Sequence, residues 1–362
     1  MLPGVAENHR AIEVFSRRRN PLFEWSYVNW VSMLKLMKIP VYLMIFTPFA
    51  AAGAGGVTDA APAELDEVLV TGEQPGPGMW RVSSGDHDLW ILGTLSPLPK
   101  NMTWRSHQAE DIISKSQEVI APPTIGFSVG FFKGLTLVPS VLRARKNSDG
   151  QTLKDVLPAN LYPRWMLLKE KYLGRSDGVE RLRPSVAARE LYVHALDQTG
   201  LSSRNVVWDT VVKAAAKQGI PVTPVNLQMK DDNPKETIRQ FQQIARDPDV
   251  ACLTSTIERL ETDLQAMRLR ANRWALGDLA GLRKMPYADQ KSTCVNAVAS
   301  VPYLRERLVK LRARLTDLWV ADAQLALLHN RTTFAVLPLD EITKPDGWLA
   351  RLRAKGLTVQ DP

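Results

Sequence analysis

The sequence predicts an α/β (α+β) domain: a mixed β-sheet flanked by helices, with a long helical middle segment. Three observations predict it. Two short apolar runs, residues 79–82 and 89–92, flank a Ser84-Gly85-Asp86 turn, which signals a β-hairpin. Residues 332–340 (TTFAVLPLD) are β-branched and apolar, a strand near the other end of the chain. Between these two regions most apolar residues recur at helical spacing.

Composition sets the outer limits. The chain has 362 residues, 45% of them hydrophobic and 23% charged, which is globular composition with length enough for a sizeable core. The formal net charge is +8. Residues 1–50 hold six basic and three acidic residues, so removing them leaves 8 − 3 = +5. That balance is mild and evenly spread, and no nucleic-acid motif accompanies it.

The first 77 residues divide into three. Residues 33–54 read as a secretory signal peptide: Lys35 and Lys38, an apolar run over 39–49, then small residues at 50–54 that suit cleavage. Pro40 and Pro48 interrupt the run, which is short for a membrane span. An uncleaved anchor is the alternative. Because signal peptides start chains, residues 1–32 are expected to be an upstream mis-start. Residues 55–77, rich in Gly, Ala and Pro, read as a disordered linker. The expected location is periplasmic or secreted. An oxidising compartment then predicts a Cys252–Cys294 disulfide, against the alternative of two separate buried thiols.

The domain is expected over residues 78–360. After the hairpin, Gly93 and Thr94 make a small-residue exit where backbone can approach a ligand, and Pro97 and Pro99 stiffen the path onward. Residues 106–116 have helical spacing and 117–121 read as a strand. The apolar stretch 126–142 reads as a core helix or lid; a membrane-touching patch is the other reading. Residues 152–173, broken at Pro158, and 184–196 are helices. A helix at 208–218 ends at Gly219, and 220–225 reads as a Pro-punctuated edge strand. Residues 235–274 are mostly helical, Asp278 caps the next turn, and 301–328 form one long amphipathic helix.

These residues resemble the TraB/GumN family, relatives of the Tiki metallopeptidases. The resemblance rests on Leu89-Trp90-Ile91-Leu92-Gly93-Thr94, the Pro97-Leu98-Pro99 that follows, Trp274-Ala275-Leu276-Gly277-Asp278, and the closing run of strand, Pro345-Asp346-Gly347, short helix and Lys355-Gly356-Leu357-Thr358-Val359. It implies that the first and last strands lie side by side. It also implies a divalent metal that activates water, held by two Gly-x-x-His histidines and an acidic residue that ends the third strand.

The chain departs from that pattern at all three positions. Ser96 and Asp340 stand where the histidines belong, and Pro122 or Pro123 stands where the acidic residue belongs. Proline offers no side-chain donor. Asp340 alone would be a conventional ligand, too few for a stable site. No His-Glu-x-x-His, P-loop or Gly-x-Ser-x-Gly motif replaces it, and a Ser96, His107, Asp340 nucleophile set has no support from spacing. The expectation is therefore a domain without metal or other cofactor that acts by binding, with Ser96 and Asp340 facing one cleft. The rival is an active metal-dependent hydrolase with relocated ligands. A third reading uses residues 66–72: Leu65 to Gly72 (LDEVLVTG) is similar to an amino-terminal segment of TonB-dependent receptors, which implies strand addition to a cell-envelope partner.

Overall fold

A computed structural model describes residues 76–128, 131–285 and 289–362. The expected mis-start, signal peptide and 66–72 segment lie outside these residues. From the amino end the elements are β1 (Met79–Ser84), β2 (His87–Thr94), β3 (Leu98–Pro99), α1 (His107–Lys115), β4 (Glu118–Ile120), β5 (Thr124–Ser128) and α2 (Phe131–Ala144). Then come α3 (Leu153–Val156), α4 (Leu161–Leu173), α5 (Pro184–Gln198), β6 (Leu201–Ser202), α6 (Val206–Gln218), β7 (Val222–Thr223) and β8 (Asn226–Lys230). The helical run follows: α7 (Pro234–Gln242), α8 (Arg246–Thr262), α9 (Leu264–Ala275), α10 (Leu279–Lys284), α11 (Gln290–Ala299) and α12 (Pro302–His329). The chain closes with β9 (Thr332–Pro338), α13 (Leu339–Thr343), α14 (Trp348–Ala354) and β10 (Thr358–Gln360).

Six strands form one mixed sheet in the order β10-β1-β2-β9-β4-β7. The β1–β2 hairpin turns at Gly85, whose φ of 61° suits glycine. β2 then lies beside β9, as expected; their pairing is parallel, and β9, β4 and β7 continue in parallel. β9 is buried on both faces because it is central: Phe334 and Val336 face one layer, Ala335 and Leu337 the other. One layer is α12 and α14, contributing Trp319, Val320, Ala323, Trp348 and Leu352. The other is α1, α6 and α9, contributing Ile113, Val207, Val211, Ala271 and Trp274.

A separate helical core joins α4, α5 and α8 around Trp165, Leu191, Leu253 and Ile257. Cys252 of α8 and Cys294 of α11 form a disulfide with Cα atoms 4.5 Å apart. A loop of this length is worth roughly 3 to 4 kcal/mol on the chain-entropy model. At the edge of this core Arg183 is a buried hub. It donates to Asp249 Oδ2 at 2.8 Å and to the carbonyls of Phe241 and Ile244, while Asp249 Oδ1 accepts from Ser185 N–H.

One expectation is corrected. The stretch 126–142 is not one helix: Gly126 belongs to β5, which pairs with β8, and α2 starts at Phe131. The β8 partner supplies the ladder bonds that draw these residues into a strand. β7 lies at the edge of the sheet, as expected for 220–225, and the chain after it resumes as β8. Prolines interrupt both ribbons at one level, Pro122 and Pro123 on one and Pro224 on the other. Four steps from Ile120 to Thr124 oppose three from Thr223 to Asn226, which is a one-residue bulge.

Candidate functional site

In a parallel sheet, ligand sites lie beyond the carboxyl ends of the strands. The three positions singled out in sequence converge there. Thr94 opposes Pro338 in the β2–β9 register, so Ser96 and Asp340 each follow two residues past the same rung. β4 lies on the other flank of β9, with Ile120 opposite Ala335, and Pro122 follows two residues later in the bulge. Neighbouring strands are about 4.8 Å apart, so one end of the sheet carries all three.

What these residues do is less than the resemblance asks. The exposed Ser96 donates its hydroxyl to the Ser203 carbonyl at 3.3 Å. Asp340, exposed in the first turn of α13, is paired at 3.3 Å with Lys291 Nζ of α11. Pro122 and Pro123 bring saturated rings. Around Asp340 the rim is charged and internally compensated: Glu341 accepts from Lys344 at 2.6 Å and from Arg312 at 3.2 Å. Burial pushes the Asp289 carboxyl up, but hydrogen bonds from Ser292 and the nearby Lys344 and Lys291 hold it below the usual carboxylate range.

The strand exit at Gly93 is packed from within rather than open to a ligand. A Cβ there would lie 2.7 Å from the Trp80 ring and 3.1 Å from Leu339 Cδ1. The Gly93 carbonyl accepts from Trp274 Nε1 at 2.7 Å, and Trp104 tilts against Trp274 with ring centroids 5.8 Å apart. Thr94 Oγ1 donates to the Leu337 carbonyl, tying the two strand ends together. Asp278 caps α10, as expected, accepting from Gly281 N–H at 2.7 Å; this bond, and then Arg273, holds its carboxyl low.

The histidines stand elsewhere. His87 opens β2 and His329 closes α12 just before β9, both at the opposite end of the sheet. His194 lies on α5 and His107 starts α1. Among the described residues no hydrogen bond joins Ser96, His107 and Asp340 into a nucleophile set. A divalent zinc ion takes three or four nitrogen, sulfur or oxygen donors at about 2.0–2.3 Å. The converging positions offer one carboxylate, already ion-paired, and one neutral hydroxyl. They do not fit the ion, and among the described residues no group of three or more His, Cys, Asp or Glu is arranged to hold one.

Sequence reasoning missed one polar cluster at the far end of the sheet. Glu118 accepts from Asn330 Nδ2 at 2.9 Å and from the Thr223 hydroxyl. Burial, with the Glu118 charge added, pushes the Asp322 carboxyl up. Only the i, i+3 and i+4 run of α12 hinted at Asp322, by setting a carboxylate between apolar positions.

No curated protein and no solved structure matches the chain. A family model does, that of the TraB/PrgY/gumN family, over residues 78–361. The matched span begins at the strand hairpin and ends at β10, so it takes in the whole sheet and every converging position. The chain belongs to the TraB/PrgY/gumN family.

Proposed function

We propose that this protein is a non-catalytic member of its family, exported by the signal peptide at residues 33–54, and that it acts by binding. One observation carries the reading. The three positions that would form the family's metal site gather at one end of the sheet, yet they supply a hydroxyl bonded to Ser203, a proline ring and a carboxylate paired with Lys291. A water-activating metal needs several anionic or imidazole donors, and these residues do not provide them. The Cys252–Cys294 bridge supports export, because such bonds persist in oxidising compartments.

Calorimetric titration of zinc and of manganese into the full chain tests the proposal. The expected result is no saturable binding. One-to-one binding that disappears in Asp340→Ala would replace this reading with a metal-dependent hydrolase.

A further inference from the structure

α2 has an unusual cross-section. Its inner stripe, Leu137, Val141 and Ala144, packs on Ile238 and Phe241 of α7. A surface helix ordinarily turns charged or polar residues outward from such a stripe. Here Val138 and Leu142, on the side away from α7, are 37% and 40% exposed. In the sequence the same spacing continues backward through Leu135 to Phe131, an i, i+4, i+7, i+11 series. A helix apolar on both sides leaves one side to be covered.

Charge identifies the cover. Residues 119–148 contain no Asp or Glu, and they carry Lys133, Arg143, Arg145 and Lys146. Arg145 is committed to Glu190 at 2.9 Å, but Arg143 and Lys146 are exposed just past the apolar side. A two-fold contact with a second copy would set this basic face against itself, which like charges oppose. An apolar stripe edged by cations suits the boundary between acyl chains and anionic headgroups. No helix among the described residues is long and apolar enough to cross a membrane, so the contact would be at the surface.

We propose that α2 docks this domain on an anionic lipid surface, with Val138 and Leu142 entering the interface and Arg143 and Lys146 meeting the headgroups. This stands apart from the question of catalysis.

Vesicle co-sedimentation tests it. The full-length chain is mixed with vesicles of phosphatidylcholine alone, or of equal parts phosphatidylcholine and phosphatidylglycerol. Comparing variants of the full chain removes any contribution of the apolar residues 39–49. The expected result is tighter binding to the anionic vesicles than to the neutral ones. Arg143→Gln/Lys146→Gln should lower the partition coefficient about 30-fold, and Val138→Ser/Leu142→Ser about tenfold or more. Both variants change exposed side chains, and unchanged thermal unfolding checks their folding. No binding to anionic vesicles, or variants that bind them like the parent, overturns the proposal. A parent chain that dimerises without lipid through Leu142 overturns it too, in favour of a self-interface.

Discussion

Lys291 Nζ stands 3.3 Å from Asp340 Oδ2, joining α11 to the first turn of α13 just past β9. The only carboxylate among the converging positions thus already has a cation beside it. Both side chains are more than half exposed, so the pair adds little to stability. Its consequence is chemical: an arriving divalent ion would have to displace an ammonium and would find no second anionic donor among those positions.

Gly93→Ala should be strongly destabilising. The added methyl would meet the Trp80 ring at 2.7 Å, Leu339 at 3.1 Å and Ile342 at 3.3 Å, all in the core. Overpacking of this kind costs about 1–3 kcal/mol. Urea unfolding with an unchanged slope and a lowered midpoint is the expected outcome.

This glycine also marks how far the sequence could be read. The hairpin was legible because two short apolar runs and a Ser-Gly-Asp turn are local signals, and the long helix because its leucines keep helical spacing. That Gly93 was needed was legible; why was not. Its neighbours come from two elements far apart in the chain, Trp80 from β1 and Leu339 and Ile342 from α13, and only the closed sheet brings them together. The same holds at the candidate site. Ser96, Pro122 and Asp340 were legible as departures from a family pattern, whereas the Lys291 partner lies 49 residues away and gave no local signal. The β5 strand was misread because its alternation is short, Ile125 and Phe127 only, and runs on into the apolar residues of α2, while its ladder depends on β8, about a hundred residues on.

Arg183→Met should unfold the helical core more than an ordinary substitution. It would leave Asp249, whose side chain is 4% exposed, buried without its cation, and would free the carbonyls of Phe241 and Ile244. Removing one partner of a buried pair costs about 3–5 kcal/mol. The double variant Arg183→Met/Asp249→Leu should recover part of that loss, which thermal unfolding of the three chains would reveal.

Asp322→Asn should stabilise the protein near neutral pH. Burial and the Glu118 charge raise the folded-state pKa of Asp322 above that of an unfolded carboxyl, at about 3.9. A raised carboxyl pKa means that the folded state prefers the neutral acid. The native residue therefore loses stability as pH rises from the unfolded value through the folded one. The amide escapes that loss, so its gain in melting temperature should be present at neutral pH and vanish at about pH 4. A gain independent of pH would mean that the charge of Asp322 is not the cause.

The most direct test of the central claim is the metal content of the full chain, purified without chelator or histidine tag and measured by mass spectrometry after incubation with divalent salts and desalting. Zinc, manganese, cobalt and iron are expected far below one ion per chain, with no change in Asp340→Ala. About one ion per chain, lost in that variant, would contradict the claim and return the protein to the metal-dependent hydrolases.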